Sequence, residues 1–116
     1  MSYWVYLEHP IDHGPLNVDQ HSEGGTYVLG GTIDAELNVT YNYSVHIRSA
    51  MHPDGLRFLH ERQAAEAIPF LERAVASLGT ERDPDYWAPT AGNAGYALNI
   101  LLTWARKHPD GVFRVS

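Results

Sequence analysis

The chain contains no cysteine, which excludes disulfide bonds, thiol nucleophiles and cysteine-ligated metal sites. Its apolar runs are all shorter than the roughly 18–20 residues that a membrane-spanning helix needs. The opening stretch, MSYWVYLEHP, lacks the basic start of a signal peptide and already has the composition of a strand. We therefore expect a cytoplasmic protein that has no membrane partner.

Basic side chains are missing from the first 47 residues, which carry six carboxylates and four of the seven histidines. All eight lysines and arginines lie at 48–116, where eight acids balance them, so the first half carries the whole net charge of −6. Binding to nucleic acid needs clustered lysine and arginine, so we expect no nucleic-acid partner. A cationic partner, a metal or a neutral ligand is compatible with this distribution of charge.

The length of 116 residues and the hydrophobic content of 44% predict one globular domain, spanning 1–116. Its first half has the alternation of strands, beginning with Tyr3, Val5 and Leu7. The glycine pair in TYVLGGTI predicts a hairpin turn at 30–31, because glycine adopts the positive φ angles of a type I′ turn. The first half is therefore expected to form an antiparallel meander of three or four strands.

A longer alternation of polar and apolar side chains runs from Thr32 to Val45 and includes the stretch AELNVTYNYSV. As one strand it would span about 46 Å, at about 3.3 Å a residue, which exceeds the size of such a domain. We therefore expect a bend, a bulge or a strong twist within 32–45.

The second half changes to the period of helices. Its first apolar stripe consists of Ala64, Ile68, Leu71, Val75 and Leu78, followed by a glycine that suits a helix C-terminus. Pro69 places the start of this helix, or a kink in it, near 64–66. Thr90 predicts the N-cap of a second helix, which would end after Arg106 and Lys107. The stripe of the second helix consists of Ala94, Ala97, Leu98, Leu101, Trp104 and Ala105.

These patterns predict an α+β fold, in which an N-terminal antiparallel β-meander is followed by two main helices packed on one of its faces. The predicted core includes Leu37, Val39, Ile68, Leu71, Leu98 and Leu101. The polar side chains of the long alternation would then lie on the opposite face of the sheet.

That polar row is the first candidate site. An ordinary solvated strand mixes lysine, glutamate and arginine, whereas this row is small and rich in amides, which both donate and accept hydrogen bonds. Its candidate binding residues are Glu36, Asn38, Thr40, Asn42 and Ser44. The alternative is that the row is only the wet face of an antiparallel sheet.

Two loops contribute further candidates. DQHSEGGTY supplies His21 and Tyr27 near the predicted hairpin, and a histidine is suited to acid–base chemistry near neutral pH. DYWAPTAGN places Trp87 and Asn93 around a predicted helix N-terminus, whose free N–H groups can bind an anion. The alternative for Trp87 is that it fills the core between sheet and helices.

The histidine-rich turn after the first strand is the candidate metal site. His9 and His13 are four residues apart, but Pro10 and Gly14 prevent the shared helical face on which that spacing would be useful. The glycine pairs also lack the spacing of a dinucleotide-binding loop. We therefore expect no metal site and no cofactor.

The stretches GGTYVLGGT, LNVTYNYS, IPFLERAVASLG, DYWAPTAGNAGYAL and HPDGVF cover most of 24–113. Together they resemble a family of small uncharacterised bacterial and phage proteins, most specifically in TYNYS and YWxPTxGN. The resemblance implies that the chain is a complete protein with a phage or prophage accessory role, including interference with host defence. It carries no activity, so it transfers no catalytic residue.

The leading hypothesis is a non-enzymatic binding protein of phage or prophage type. It would occupy a host protein or a small polar ligand through the polar face of its sheet and the neighbouring loops. One alternative is a small hydrolase or transferase that uses Glu36 or His21 as acid–base. Another is a homo-oligomer in which the exposed sheet pairs with a second copy.

Overall fold

The computed structural model describes residues 1–21 and 31–116, so the first glycine of the predicted hairpin turn and the candidate Tyr27 lie outside the described residues. The strands are β1 (Ser2–Glu8), β2 (Asn17–His21), β3 (Thr32–Asp34), β4 (Glu36–Thr40) and β5 (Val112–Val115). The helices are α1 (Ser44–Ala50), α2 (Ala64–Leu78) and α3 (Ala91–Lys107), with short 3-10 turns at Tyr41–Tyr43 and Gly55–Leu59. The predicted α+β class, with antiparallel N-terminal strands and two main C-terminal helices, is confirmed.

The strands form two antiparallel sheets in the described part of the chain. The larger sheet has the order β4-β1-β5, with Val5 opposite Leu37 on one side and opposite Val115 on the other. The smaller sheet pairs β2 with β3. The C-terminal strand β5 was not predicted, and it makes β1 the central strand of the larger sheet.

The long alternation divides at Ala35, which is fully buried between β3 and β4. Its N–H donates to the main-chain oxygen of Leu16 at 2.9 Å, and its own oxygen accepts from the N–H of Leu7 at 3.0 Å. The two strands on either side of it belong to different sheets. The expected bend within 32–45 is therefore confirmed.

The prediction that the strand continues to Val45 is wrong, because β4 ends at Thr40 and a 3-10 turn follows. The Thr40 hydroxyl accepts a hydrogen bond from the N–H of Asn42 at 3.2 Å and caps this turn. The chain then continues into α1, so that Tyr43 and Ile47 are both buried at helical spacing. The residues Asn42 and Ser44 consequently leave the strand on which the polar row was placed.

Both main helices begin and end close to the predicted positions. α2 starts at Ala64, within the range that Pro69 indicated, and ends at Gly79, whose φ of 75° favours glycine. α3 is capped by the Thr90 hydroxyl, which accepts from the N–H of Asn93 at 3.1 Å. Of the predicted core, Leu37, Val39, Leu71, Leu98 and Leu101 are buried, whereas Ile68 is partly buried and packs against the core.

The start of α3 packs unusually close to the end of α2. A Cβ atom on Gly95 would lie 1.7 Å from the main-chain oxygen of Gly79, and one on Gly92 would lie 1.9 Å from that of Glu81. Only glycine allows the two backbones to approach so closely. The glycines that lower the helix propensity of α3 therefore have a packing role.

Across residues 1–21 and 31–116, none of the helices combines the length and the apolar character that crossing a bilayer requires.

Candidate ligand cavity at the edge of strand β4

A cavity of about 260 Å³ lies beside β4, which is an edge strand of the larger sheet in the described part of the chain. Its walls come from the end of β2, the edge of β4, the segment before α3 and one face of α3 itself. The lining residues are Gln20, His21, Leu37, Asn38, Tyr43, Arg82, Tyr86, Asn93, Tyr96, Ala97 and Ile100. Its volume is near the lower end of the range for pockets that bind small molecules.

Asn93 fixes the segment that precedes α3. Its side-chain amide donates to the main-chain oxygens of Asp85 and Ala88, both at 3.0 Å. Its side-chain oxygen accepts from the N–H of Asp83 at 2.9 Å. Because Asn93 is buried and both its amide hydrogens are used inside the chain, its main task in the cavity wall is to hold this segment in place.

The 3-10 turn and α1 hold the same segment from the other side. The Tyr43 hydroxyl donates to the main-chain oxygen of Tyr86, and the Asn42 amide donates to that of Trp87 at 2.9 Å. Nε2 of His46 donates to the main-chain oxygen of Pro89 at 2.8 Å. The stretches TYNYS and DYWAP, which carry the most specific part of the resemblance, are thus in direct contact.

Tyr86 connects this segment to the edge of β4. Its hydroxyl donates to the main-chain oxygen of Asn38 at 2.8 Å, and its ring meets the ring of Tyr43 edge-on at 5.7 Å. Burial raises the pKa of Tyr86, and the N–H of Thr40 beside its hydroxyl opposes part of that rise. Burial, reinforced by Tyr86, also raises the pKa of Tyr43 well above its usual range. Both phenols therefore stay neutral over the physiological pH range.

His21 contacts the same edge of β4 at Glu36, two residues before Asn38. Its Nε2 donates to the main-chain oxygen of Glu36 at 2.8 Å, and its Nδ1 lies 3.2 Å from that of Asp19. The ring also meets Trp104 edge-on at 5.0 Å. Both ring nitrogens of His21 therefore face main-chain oxygens, and its link to Glu36 is made through the main chain.

Asn38 is a polar residue of the cavity wall whose side-chain hydrogen bonds are incomplete among the described residues. Its side chain is 3% exposed, and its amide nitrogen donates to the Ser2 hydroxyl at 2.7 Å. Its side-chain oxygen Oδ1 is buried without a hydrogen-bond partner in the described structure. A buried carbonyl left in that state costs about 1–3 kcal/mol. Native proteins rarely keep such an atom unless a ligand or a water satisfies it.

The charge of the cavity wall differs from that of the chain as a whole. Within 1–21 and 31–116, the lining residues include Arg82 and His21 but no aspartate or glutamate, although the chain carries 14 acids and a net charge of −6. The Arg82 guanidinium lies over the ring of Tyr96, 4.5 Å from its centroid. Among the ion pairs of the described residues, none involves Arg82.

The structure brings three of the predicted site residues, His21, Asn38 and Asn93, onto one cavity wall. Glu36 lies beside them and provides its main-chain oxygen to His21, while Thr40 is buried at the end of β4. The polar row is therefore not a solvated face at Asn38 and Thr40.

The other predicted site residues are distributed differently. Asn42 and Trp87 bond to each other next to the cavity rather than in its wall, and Ser44 begins α1. Tyr43, Arg82 and Tyr96 also line the cavity but are not among the predicted site residues. A signal was present for the last of these, because Asn93, Tyr96, Ala97 and Ile100 follow the spacing of one helical face.

The histidine-rich turn does not form a metal cluster. His13 lies 3.7 Å from the carboxylate of Glu8, and in residues 1–21 and 31–116 no three histidine, aspartate or glutamate side chains are placed to hold one ion.

No protein-family model, curated protein or solved structure matches this chain. The interpretation of the cavity therefore rests on its own geometry.

Proposed function

We propose that this protein is a non-enzymatic binding protein and that it holds a small polar ligand in the cavity beside β4. The observation that carries the proposal is the buried Oδ1 of Asn38, which has no hydrogen-bond partner in the described structure, although the neighbouring side chains of Asn93 and Tyr86 are hydrogen-bonded. A ligand that donates to Oδ1 would remove a cost of about 1–3 kcal/mol from the folded protein.

The arrangement of His21 supports binding rather than acid–base catalysis. Its two nitrogens face the main-chain oxygens of Glu36 and Asp19, so proton transfer to a ligand would require one of these contacts to break. The same contacts position the His21 ring as a fixed part of the wall. The hydrolase or transferase alternative therefore has less support than the binding function.

The biological setting is a second part of the proposal. The resemblance to bacterial and phage proteins supports a phage or prophage accessory role, in which the protein withholds its ligand from a host protein. The direct contact of TYNYS with DYWAP supports a link between the resemblance and the cavity, because the two stretches together build one side of its wall.

The proposal is tested by screening a mixed library of small polar compounds against the labelled protein by amide NMR. The variant Ala97→Leu narrows the cavity, because Ala97 lies in its wall. The matched control is Ala65→Leu, since Ala65 lies on the exposed face of α2. We expect compounds that shift the amides of Asn38 and Ala97 in the wild type and in the control, but not in Ala97→Leu.

Two results would contradict the proposal. One is a screen in which no compound shifts the cavity amides of the folded wild type. The other is binding that persists unchanged in a folded Ala97→Leu variant. Light scattering on the same samples tests the homo-oligomer alternative, since association with a second copy doubles the mass.

A further inference from the structure

The charge of the cavity wall favours a negatively charged ligand. In a chain with an excess of acids, the described residues of the wall include one arginine, one histidine and no carboxylate. Arg82 is followed and preceded by acids in the stretch ERDPD, yet its guanidinium lies over Tyr96 and forms no ion pair with any described residue. The carboxylate of Asp85 accepts from the N–H of Trp87 at 3.0 Å and forms no ion pair with Arg82. A positive charge at the wall therefore remains available to an anion.

The aromatic side chains of the cavity wall also favour a ligand with a planar ring. Among the described residues, the tyrosine rings of Tyr43, Tyr86 and Tyr96 line the cavity together with the apolar side chains of Leu37, Ala97 and Ile100. Aromatic rings in a wall pack best against another planar ring, stacked or edge-on. The volume of about 260 Å³ is suited to a single small ring system with few substituents.

The hydrogen-bonding groups add a third requirement. The amide nitrogen of Asn38 is already bonded to Ser2, so its free Oδ1 can only accept. The nearby Tyr86 hydroxyl has donated its hydrogen to the main chain of Asn38 and is not available to Oδ1. Oδ1 therefore gives a bound ligand an acceptor for which neither Asn38 nor Tyr86 supplies the donor.

We infer that the ligand is a small planar anion that also carries a hydrogen-bond donor, of the class of hydroxy-substituted aromatic carboxylates. Its carboxylate pairs with Arg82, its ring packs among the tyrosines and its hydroxyl donates to Oδ1 of Asn38. This inference rests on the proposed ligand-binding function and specifies the chemistry of that same cavity.

Three probe compounds separate the requirements. They are 4-hydroxybenzoate, which has both groups, benzoate, which lacks the donor, and 4-hydroxybenzamide, which lacks the charge. Titration calorimetry on the wild type should show that 4-hydroxybenzoate binds about tenfold more tightly than either of the others. A site built around a buried acceptor discriminates strongly against a ligand that leaves the acceptor unpaired, and about tenfold corresponds to 1.4 kcal/mol.

Two variants test whether Arg82 binds the carboxylate and whether Asn38 binds the hydroxyl of the ligand. Arg82→Gln should weaken binding of 4-hydroxybenzoate by about tenfold and change that of the neutral 4-hydroxybenzamide less than about twofold. Arg106→Gln is the matched control, because Arg106 pairs with Glu72 on the surface of the helices, and it should leave all three affinities unchanged. In Asn38→Leu, the preference for 4-hydroxybenzoate over benzoate should disappear.

The outcomes distinguish this inference from the function on which it rests. If 4-hydroxybenzamide binds the wild type as tightly as 4-hydroxybenzoate, the anionic class is wrong although the binding function stands. If benzoate binds as tightly as 4-hydroxybenzoate, the requirement for a donor is wrong. Neither comparison needs a variant, so a failure of Asn38→Leu to fold does not affect them. If the three probes fail to bind while the library yields other compounds, the class is wrong, and if no compound binds, the proposed function itself is wrong.

Discussion

The hydroxyl of Tyr86 donates to the main-chain oxygen of Asn38 at 2.8 Å, which joins two residues that are 48 positions apart in the chain. The free edge of a sheet exposes main-chain groups that tend to pair with another strand. Here Tyr86 occupies one of these groups, and His21 occupies another at Glu36. Side chains thus cover the edge of β4 without filling the space beside it, and that space is the cavity.

Replacing Tyr86 by phenylalanine should destabilise the fold without emptying the cavity wall. The ring is retained, but the oxygen of Asn38 loses its donor, so we expect the free energy of unfolding to fall by about 1–2 kcal/mol. Urea denaturation measures the change. Tyr41→Phe is the control, because Tyr41 is exposed and should change stability by less than about 0.5 kcal/mol. Equal effects of the two variants would show that the bond to Asn38 contributes nothing.

Stability should fall with rising pH above about 10, because the folded state holds the protons of Tyr43 and Tyr86 more tightly than the unfolded chain does. Burial raises both pKa values above the value of about 10 in an unfolded chain. Below that pH both states are protonated and the contribution is fully present. Above it only the unfolded chain releases these protons, which lowers the free energy of unfolding by up to about 1.4 kcal/mol per pH unit for each tyrosine.

Urea denaturation between pH 9 and pH 11 measures this slope. Tyr43→Phe removes one of the two titrating hydroxyls and should therefore reduce the dependence of the free energy of unfolding on pH. Tyr41→Phe should leave this dependence unchanged. A slope that is the same in Tyr43→Phe and in the wild type would contradict the assignment to Tyr43.

Replacing Asn93 by aspartate should detach the segment before α3. The carboxylate has nearly the shape of the amide but cannot donate to the oxygens of Asp85 and Ala88. With two hydrogen bonds lost, we expect the free energy of unfolding to fall by about 2–4 kcal/mol at neutral pH. Near pH 4 the carboxyl group regains one donor, so the difference from the wild type should shrink. Asn99→Asp on the same helix is the control, and a loss of stability as large in that variant would contradict the role of Asn93.

Replacing Gly95 by alanine should force α2 and α3 apart. Its new Cβ atom would overlap the main-chain oxygen of Gly79, which cannot move without displacing the end of α2. We expect a loss of about 3 kcal/mol or more, comparable to severe overpacking of a core. Thr103→Ala, at an exposed position of α3, should change stability by less than about 0.5 kcal/mol. Thermal unfolding followed by circular dichroism compares the two, and a Gly95→Ala protein as stable as the control would contradict the close approach.

The two main helices, α2 and α3, could be predicted because their signals are local, whereas α1 was not predicted. Thr90 caps α3 and Gly79 ends α2 through hydrogen bonds and backbone angles that involve only neighbouring residues. The end of β4 was missed because the alternation in TYNYSV is equally compatible with a strand. In the structure, helical geometry is stabilised by the hydrogen bond from the N–H of Asn42 to the Thr40 hydroxyl, which caps the turn. It is also stabilised by the burial of Tyr43 four residues before the buried Ile47.

The cavity could be predicted only in part, because burial of a polar side chain depends on residues far away in sequence. The alternation identified Asn38 as unusual, but it could not show that Tyr86 would cover the same edge of the strand. β5 was missed for a similar reason, since VFRV is too short to predict by itself and becomes a strand by pairing with β1. Local chemistry thus indicated the candidate residues, and tertiary contacts decided what they do.

Among the described strands, the central strand of the larger sheet comes first along the chain, and one of its two neighbours comes last. β1 pairs with β4 on one side and with β5 on the other, where Trp4 and Ser116 exchange main-chain hydrogen bonds at 2.9 and 3.0 Å. During translation, the edge of β1 that pairs with β5 therefore remains unpaired until β5 has left the ribosome. An interruption of synthesis before β5 leaves the middle of the sheet incomplete rather than its margin, and exposes an aggregation-prone strand.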